Sequence, residues 1–191
     1  MWVIILYCFL HLLISLLELR FENDPEIYAY INSSFTFLEY SLFSYFYLIS
    51  IKNLTFKRAL LIVSVIFLIF ILFYFLNVKA QGLDSVPIGI ETILILTFSF
   101  YFLYEQMKDT ETLFVYNKPE FWVVLGIMIY LAGSFFFYMF ANFSSDAVRY
   151  WFFTNVFSIL KTISFIIAIL IYTKGPTNNN PKSFTYHPYL N

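Results

Sequence analysis

The sequence has one cysteine, two histidines, five glycines and 12% charged residues among 191, and each scarcity removes a class of protein. Cys8 alone can form neither an intrachain disulfide nor a cysteine-built metal cluster. His11 and His187 are too few for bis-histidine haem ligation within the membrane, because His187 falls in the C-terminal stretch. No glycine-rich phosphate loop, HExxH or GxSxG occurs. No enzyme, metal or cofactor is therefore expected. With 11 Lys and Arg against 12 Asp and Glu, the net charge of -1 offers no basic footprint, so nucleic acid is excluded as a partner.

What remains is apolar: 61% hydrophobic residues, 24% aromatics and a mean hydropathy of +0.77. A soluble domain averages about 25% charged residues, and runs of about 18 or more apolar residues read as bilayer spans. The expected fold is all-α, a polytopic transmembrane helix bundle over residues 1–173 with spans at 2–18, 30–51, 59–77, 88–107, 121–142 and 150–172. The lipid bilayer is then its first partner. The opening run has no basic segment before it and no small-residue cleavage site after it, so it reads as a helix rather than a signal peptide. Residues 174–191, KGPTNNNPKSFTYHPYLN, lack periodicity and read as a disordered tail or docking peptide.

Orientation follows from basic residues in the connections. Lys52, Lys57, Arg58, Lys108, Lys118, Lys174 and Lys182 lie on the side of the N-terminus, against Arg20, Lys79 and Arg149 on the other. Seven against three predicts that both termini are cytoplasmic.

The polar residues inside the spans are the candidate site. Lys161 lies in the middle of WFFTNVFSILKTISFIIAILI, where a lysine costs about 2.5 to 3.5 kcal/mol on insertion scales, so it needs a partner. Glu39 and Glu91 are the intramembrane candidates, with His11 and Asn155 nearby in kind. At about 100° per residue, Asn32, Thr36, Glu39, Tyr40 and Tyr47 share one face of the second span, and Asn155, Ser158, Lys161 and Thr162 one face of the sixth. The third span, almost free of polar residues, reads as the most lipid-exposed. Gly126, Gly133 and Ser134 in the fifth would permit close helix approach. The segment from Glu39 to Asn77 also matches that from Glu91 to Asn142 at FSYFYL and FSFYFL, which would follow from a duplicated helical hairpin.

FLEY at 37–40, PIGIE at 87–91, and KPEFWVVLG at 118–126 followed by YLAGSFF at 130–136 resemble a family of uncharacterised bacterial multi-span proteins. That family is similar to the membrane sensor modules of two-component histidine kinases. The resemblance implies a multi-pass protein of the bacterial cytoplasmic membrane, a sensor or adaptor acting on a separate cytoplasmic signalling protein such as a histidine kinase. A homo-oligomer is a further partner the sequence leaves open. No kinase domain follows Tyr172, and no catalytic residue is implied. A small transporter or proton-coupled carrier using the same residues is the alternative, and a structural membrane subunit, with a buried ion pair that only fixes helix packing, is the third.

Two carboxylates around one ammonium leave one negative charge in excess, so one glutamate is expected to be protonated at neutral pH. Infrared spectra should contain a protonated-carboxyl band that Glu39→Gln or Glu91→Gln removes; a band surviving in both variants rejects the expectation.

Overall fold

The computed structural model describes residues 1–21, 23–77, 85–108, 115–141 and 147–174. Among them are six α-helices: α1 (Trp2–Arg20), α2 (Pro25–Ser50), α3 (Leu54–Asn77), α4 (Ser85–Lys108), α5 (Pro119–Ala141) and α6 (Ala147–Lys174). A single 3₁₀ turn, Val115–Asn117, precedes α5. Most of the connection between the third and fourth expected spans (78–84), part of that between the fifth and sixth (142–146) and the tail from residue 175 onward lie outside the described residues.

Local chemistry sets the helix ends. Asp24 caps α2 by accepting from the Ile27 amide, and Pro25 occupies the first helical position, where its missing N–H costs nothing. Asn53 caps α3, its Oδ1 accepting from the Thr55 and Phe56 amides. The short turn between α2 and α3 is also held from a distance. The Glu105 carboxylate near the end of α4 accepts from both the Lys52 and Asn53 amides at 2.8 Å.

Five helices, α1, α3, α4, α5 and α6, have segments long and apolar enough to cross a membrane. With strings of exposed Leu, Ile, Val and Phe on their outer faces, a surface of this kind belongs against acyl chains. The chain is an integral membrane protein. The expected second span does form a helix, but α2 is not among these five. Its run of Asn32, Ser33, Ser34, Thr36, Glu39, Ser41 and Ser44 dilutes its apolar character. That polarity is directed inward: Thr36, Glu39, Tyr40, Ser44 and Tyr47 are buried, and α2 packs against α1, α3 and α4. α1 and α3 are comparably exposed, burying 17% and 22% of their apolar segments, so the third span does not stand out as the most lipid-exposed. Both pack chiefly against α2, α1 sending Ile4, Tyr7 and Ile14 inward and α3 sending Leu60, Phe67 and Ile71.

The core is largely aromatic. Tyr40 meets Phe67 edge-on at 4.5 Å, and its hydroxyl donates to Ser64; Tyr47 pairs its hydroxyl with Ser99 at 2.6 Å; Phe56 stacks on Tyr101 at 3.5 Å. Tyr40 and Tyr47 each bring ring area while giving the hydroxyl a partner, as burial requires.

α5 and α6 form the most extensive helix pair. Gly126 and Gly133 both face α6. A methyl at Gly126 would lie 2.9 Å from Ser164 Cβ and 3.2 Å from the Lys161 carbonyl oxygen, and one at Gly133 would overlap the Phe157 ring. Ser134 is buried one residue on, its hydroxyl donating to the Leu131 carbonyl. Gly126→Ala is therefore expected to lower stability in detergent by about 1–3 kcal/mol through overpacking. Ser164→Gly added to it should restore part of the loss, as thermal unfolding would report; an unchanged midpoint in Gly126→Ala contradicts the close approach.

Candidate functional site

The site is assembled from five helices. Lys161, in the middle of α6, is 2% exposed, and its Nζ donates to the Tyr7 hydroxyl on α1 at 2.6 Å. That hydroxyl donates in turn to Glu39 Oε1 on α2 at 2.7 Å. Below the ammonium lies the ring of Tyr130 from α5, with Nζ 3.5 Å from its centroid, and the Tyr7 ring is 4.9 Å away. A cation over an aromatic face, as Lys161 is over Tyr130, is attracted by the ring's quadrupole, by about 2 kcal/mol or more when desolvated, whereas Tyr7 meets the ammonium with its hydroxyl edge. Glu91, on α4, is 3% exposed and lies near enough to Glu39 and Tyr40 for their charges to interact. Its Oε1 has no hydrogen-bond partner among the described residues.

Of the residues expected at an intramembrane polar site, the structure joins Lys161 and Glu39, and joins them indirectly. Tyr7 stands between ammonium and carboxylate, and no direct ion pair forms between them. Glu91 lies within electrostatic reach of Glu39, and no hydrogen bond joins it to Lys161. His11 stands one helical turn from Tyr7, its ring 5.9 Å from the tyrosine's and edge-on to Phe35 at 5.4 Å. Asn155, half-buried, is six residues and so about 9 Å along α6 from Lys161. Thr162 is exposed, and the buried face of α6 runs instead through Lys161, Ser164, Phe165 and Ala168. Among the described residues no three His, Cys, Asp or Glu side chains gather where a metal could be held.

Two members escaped sequence reasoning, Tyr7 and Tyr130. Tyr130 carried no signal among 16 tyrosines. Tyr7 did carry one. Tyr7, His11 and Ser15 recur every fourth residue, a polar line on an otherwise apolar helix. That line borders a cleft of about 330 Å³ between α1 and α6, which Cys8, Leu12, Lys161, Thr162 and Phe165 also line.

Lys161 reaches across to Tyr7 because α5 brings α6 close. The Gly126 position lies directly against the Lys161 backbone carbonyl, so a larger residue there would displace the lysine's own turn. Electrostatically the arrangement is a positive group and a negative group sharing one hydroxyl. Proton position along that line and access from the cleft are the two variables it offers to chemistry.

Comparisons with protein-family models, curated proteins and solved structures found no match. The likeness to sensor modules rests on its quoted residues alone.

Tyr7→Phe keeps the ring and deletes the shared hydroxyl, leaving both Lys161 and Glu39 buried without that bond. It is expected to cost about 1–3 kcal/mol, above the average of about 0.6 kcal/mol measured for membrane hydrogen bonds, because both groups at its ends are ionisable. In a double-mutant cycle with Glu39→Gln the two losses should be non-additive. Strict additivity would mean the two side chains do not interact.

Proposed function

We propose that this protein is an integral membrane sensory or adaptor module without a catalytic domain of its own. In this reading it has six spans, α2 crossing the bilayer inside its neighbours, and both termini on the cytoplasmic side of a bacterial membrane. It acts on a separate cytoplasmic partner such as a histidine kinase when α1 and α6 rearrange around the Lys161–Tyr7–Glu39 link.

The observation that carries the reading is the contrast between two joints. α5 and α6 pack extensively through glycine contacts. α1 and α6 instead flank a cleft and meet at one residue, Tyr7, through its hydrogen bond with Lys161 and an edge-on contact with Phe165 at 6.0 Å. Packed interfaces resist small displacements because they are close-packed, whereas one polar bridge has two discrete states, made and broken. Occupancy of the cleft, or a proton moving on the line, biases those states, which is the physical content of a switch. α6 ends at Lys174, and the segment beyond it is the natural output.

A proton-coupled carrier is the second reading, favoured by the aligned ionisable groups Lys161, Tyr7 and Glu39. Against it, the helices that carry them run unbroken through the site, whereas carriers commonly place discontinuous helices there.

In-cell crosslinking followed by mild-detergent purification and mass spectrometry separates these readings. A histidine kinase or another signalling protein should accompany the full chain and be lost when the chain is cut after Lys174. Recovery of a homo-oligomer alone, together with proton flux into liposomes that Glu39→Gln abolishes, would overturn the sensor in favour of the carrier.

A further inference from the structure

The cleft between α1 and α6 has a polar, enclosed floor and an apolar, open rim. Tyr7, Lys161 and Phe165, each 2% exposed, form the floor, while Cys8, Leu12, Ser15 and Thr162 are exposed around it. The same two helices expose Leu12, Leu13 and Leu16, and Ile159, Ile163 and Ile166. Both have segments that can cross a membrane, so the surroundings of the cleft are acyl chains. A ligand enters sideways, from lipid.

The floor decides the chemistry. An ammonium has three donors and no acceptor. Lys161 gives one to Tyr7 and sets its charge over Tyr130, and Glu39 is reached only through the Tyr7 hydroxyl. The ammonium thus lacks a directly bonded anion in a medium of low dielectric. The hydroxyl of Thr162 spends its one donor on the Ser158 carbonyl, so the charged donor the cleft offers an anion is Lys161. A volume of about 330 Å³ is at the lower end of the range of roughly 300–1,000 Å³ for small-molecule pockets. It admits a head group and the first part of one chain rather than a whole two-chain lipid.

We propose that the cleft binds the carboxylate of a single-chain amphiphile, a fatty acid, drawn from the bilayer onto Lys161. This rests on the sensor reading and supplies its cue: a carboxylate on the ammonium competes with the Tyr7 hydroxyl and loosens the bridge between α1 and α6.

The test uses the full chain in phosphatidylcholine nanodiscs with carboxyl-¹³C palmitate as probe. Cys8, the sole cysteine and a cleft residue, reports occupancy through its rate of alkylation by N-ethylmaleimide. Palmitate is expected to bind and to slow alkylation. Methyl palmitate, without the charge, should bind about tenfold more weakly or worse. Thr162→Trp, which fills the rim from an exposed position, should weaken palmitate by a similar factor with an unchanged unfolding midpoint. Equal binding of acid and ester would reduce the cleft to an apolar groove and overturn the proposal. So would absence of binding, or binding that neither protects Cys8 nor responds to Thr162→Trp. Partner recovery with the full chain is measured independently, so a kinase retained without palmitate binding overturns this inference and leaves the sensor reading standing.

Discussion

An ammonium in the middle of an apolar helix has to be solvated by the protein, and most of the site's geometry answers that requirement. Lys161 receives the Tyr7 hydroxyl oxygen, the aromatic face of Tyr130 and, one bond further on, a carboxylate. An insertion penalty of about 2.5–3.5 kcal/mol is of the same order as a desolvated cation–π contact with one charge-assisted hydrogen bond. The arrangement therefore holds without a direct salt bridge. Interposing Tyr7 has a consequence that contact between the charges would not have: the bond between α1 and α6 and the bond between α1 and α2 converge on one oxygen. Breaking either changes the other.

Backbone packing makes that convergence attainable. A lysine reaches its partners only if its helix is held at the right distance, and α6 is held by α5 through Gly126, beside the Lys161 carbonyl, and Gly133, beside Phe157. α2 contributes from the opposite side by burying its polar face, Thr36, Glu39 and Tyr47, among its neighbours. The same inward polarity lowers the helix's overall apolar character, so what makes α2 poor as an isolated membrane segment suits it to the bundle interior. At the far end of α4, Glu105 ties the turn between α2 and α3 to α4, fixing the helix that carries Glu39 relative to the one that carries Glu91.

The helices and the charged members of the site are legible in the sequence because each departs from an unambiguous background. Long apolar runs separated by polar turns delimit the spans, and a lone lysine or glutamate inside such a run is conspicuous. Which helices adjoin is not legible, since pairing depends on shape over whole faces. That is why Glu39 and Glu91, similar in sequence context, have different surroundings: the first accepts from Tyr7, and the second has an oxygen without a partner among the described residues. Tyr7 was obscured by abundance, and only its four-residue spacing with His11 and Ser15 distinguishes it. Glu105 is not distinguishable in the sequence from an ordinary end-of-helix charge, because a carboxylate bonding to two distant amides leaves no local pattern.

The unequal joints around α6 also fix the direction in which any change would travel. Toward α5 the helix meets close contacts that a shift of even a methyl's width would violate. Toward α1 it meets a cleft, one hydrogen bond, one edge-on ring contact between Tyr7 and Phe165, and the half-buried His11. A perturbation at Lys161 is therefore relieved on the α1 side, with α5 and α6 moving, if they move, as one body. The tyrosine that bonds Lys161 also bonds Glu39, so release of α1 from α6 alters the electrostatic surroundings of Glu39 at the same time. Within electrostatic reach of Glu39 lies Glu91, whose Oε1 has no partner among the described residues. The hydrogen-bonded line itself runs from Lys161 on α6 through Tyr7 on α1 to Glu39 on α2, and each of these helices is continuous through it.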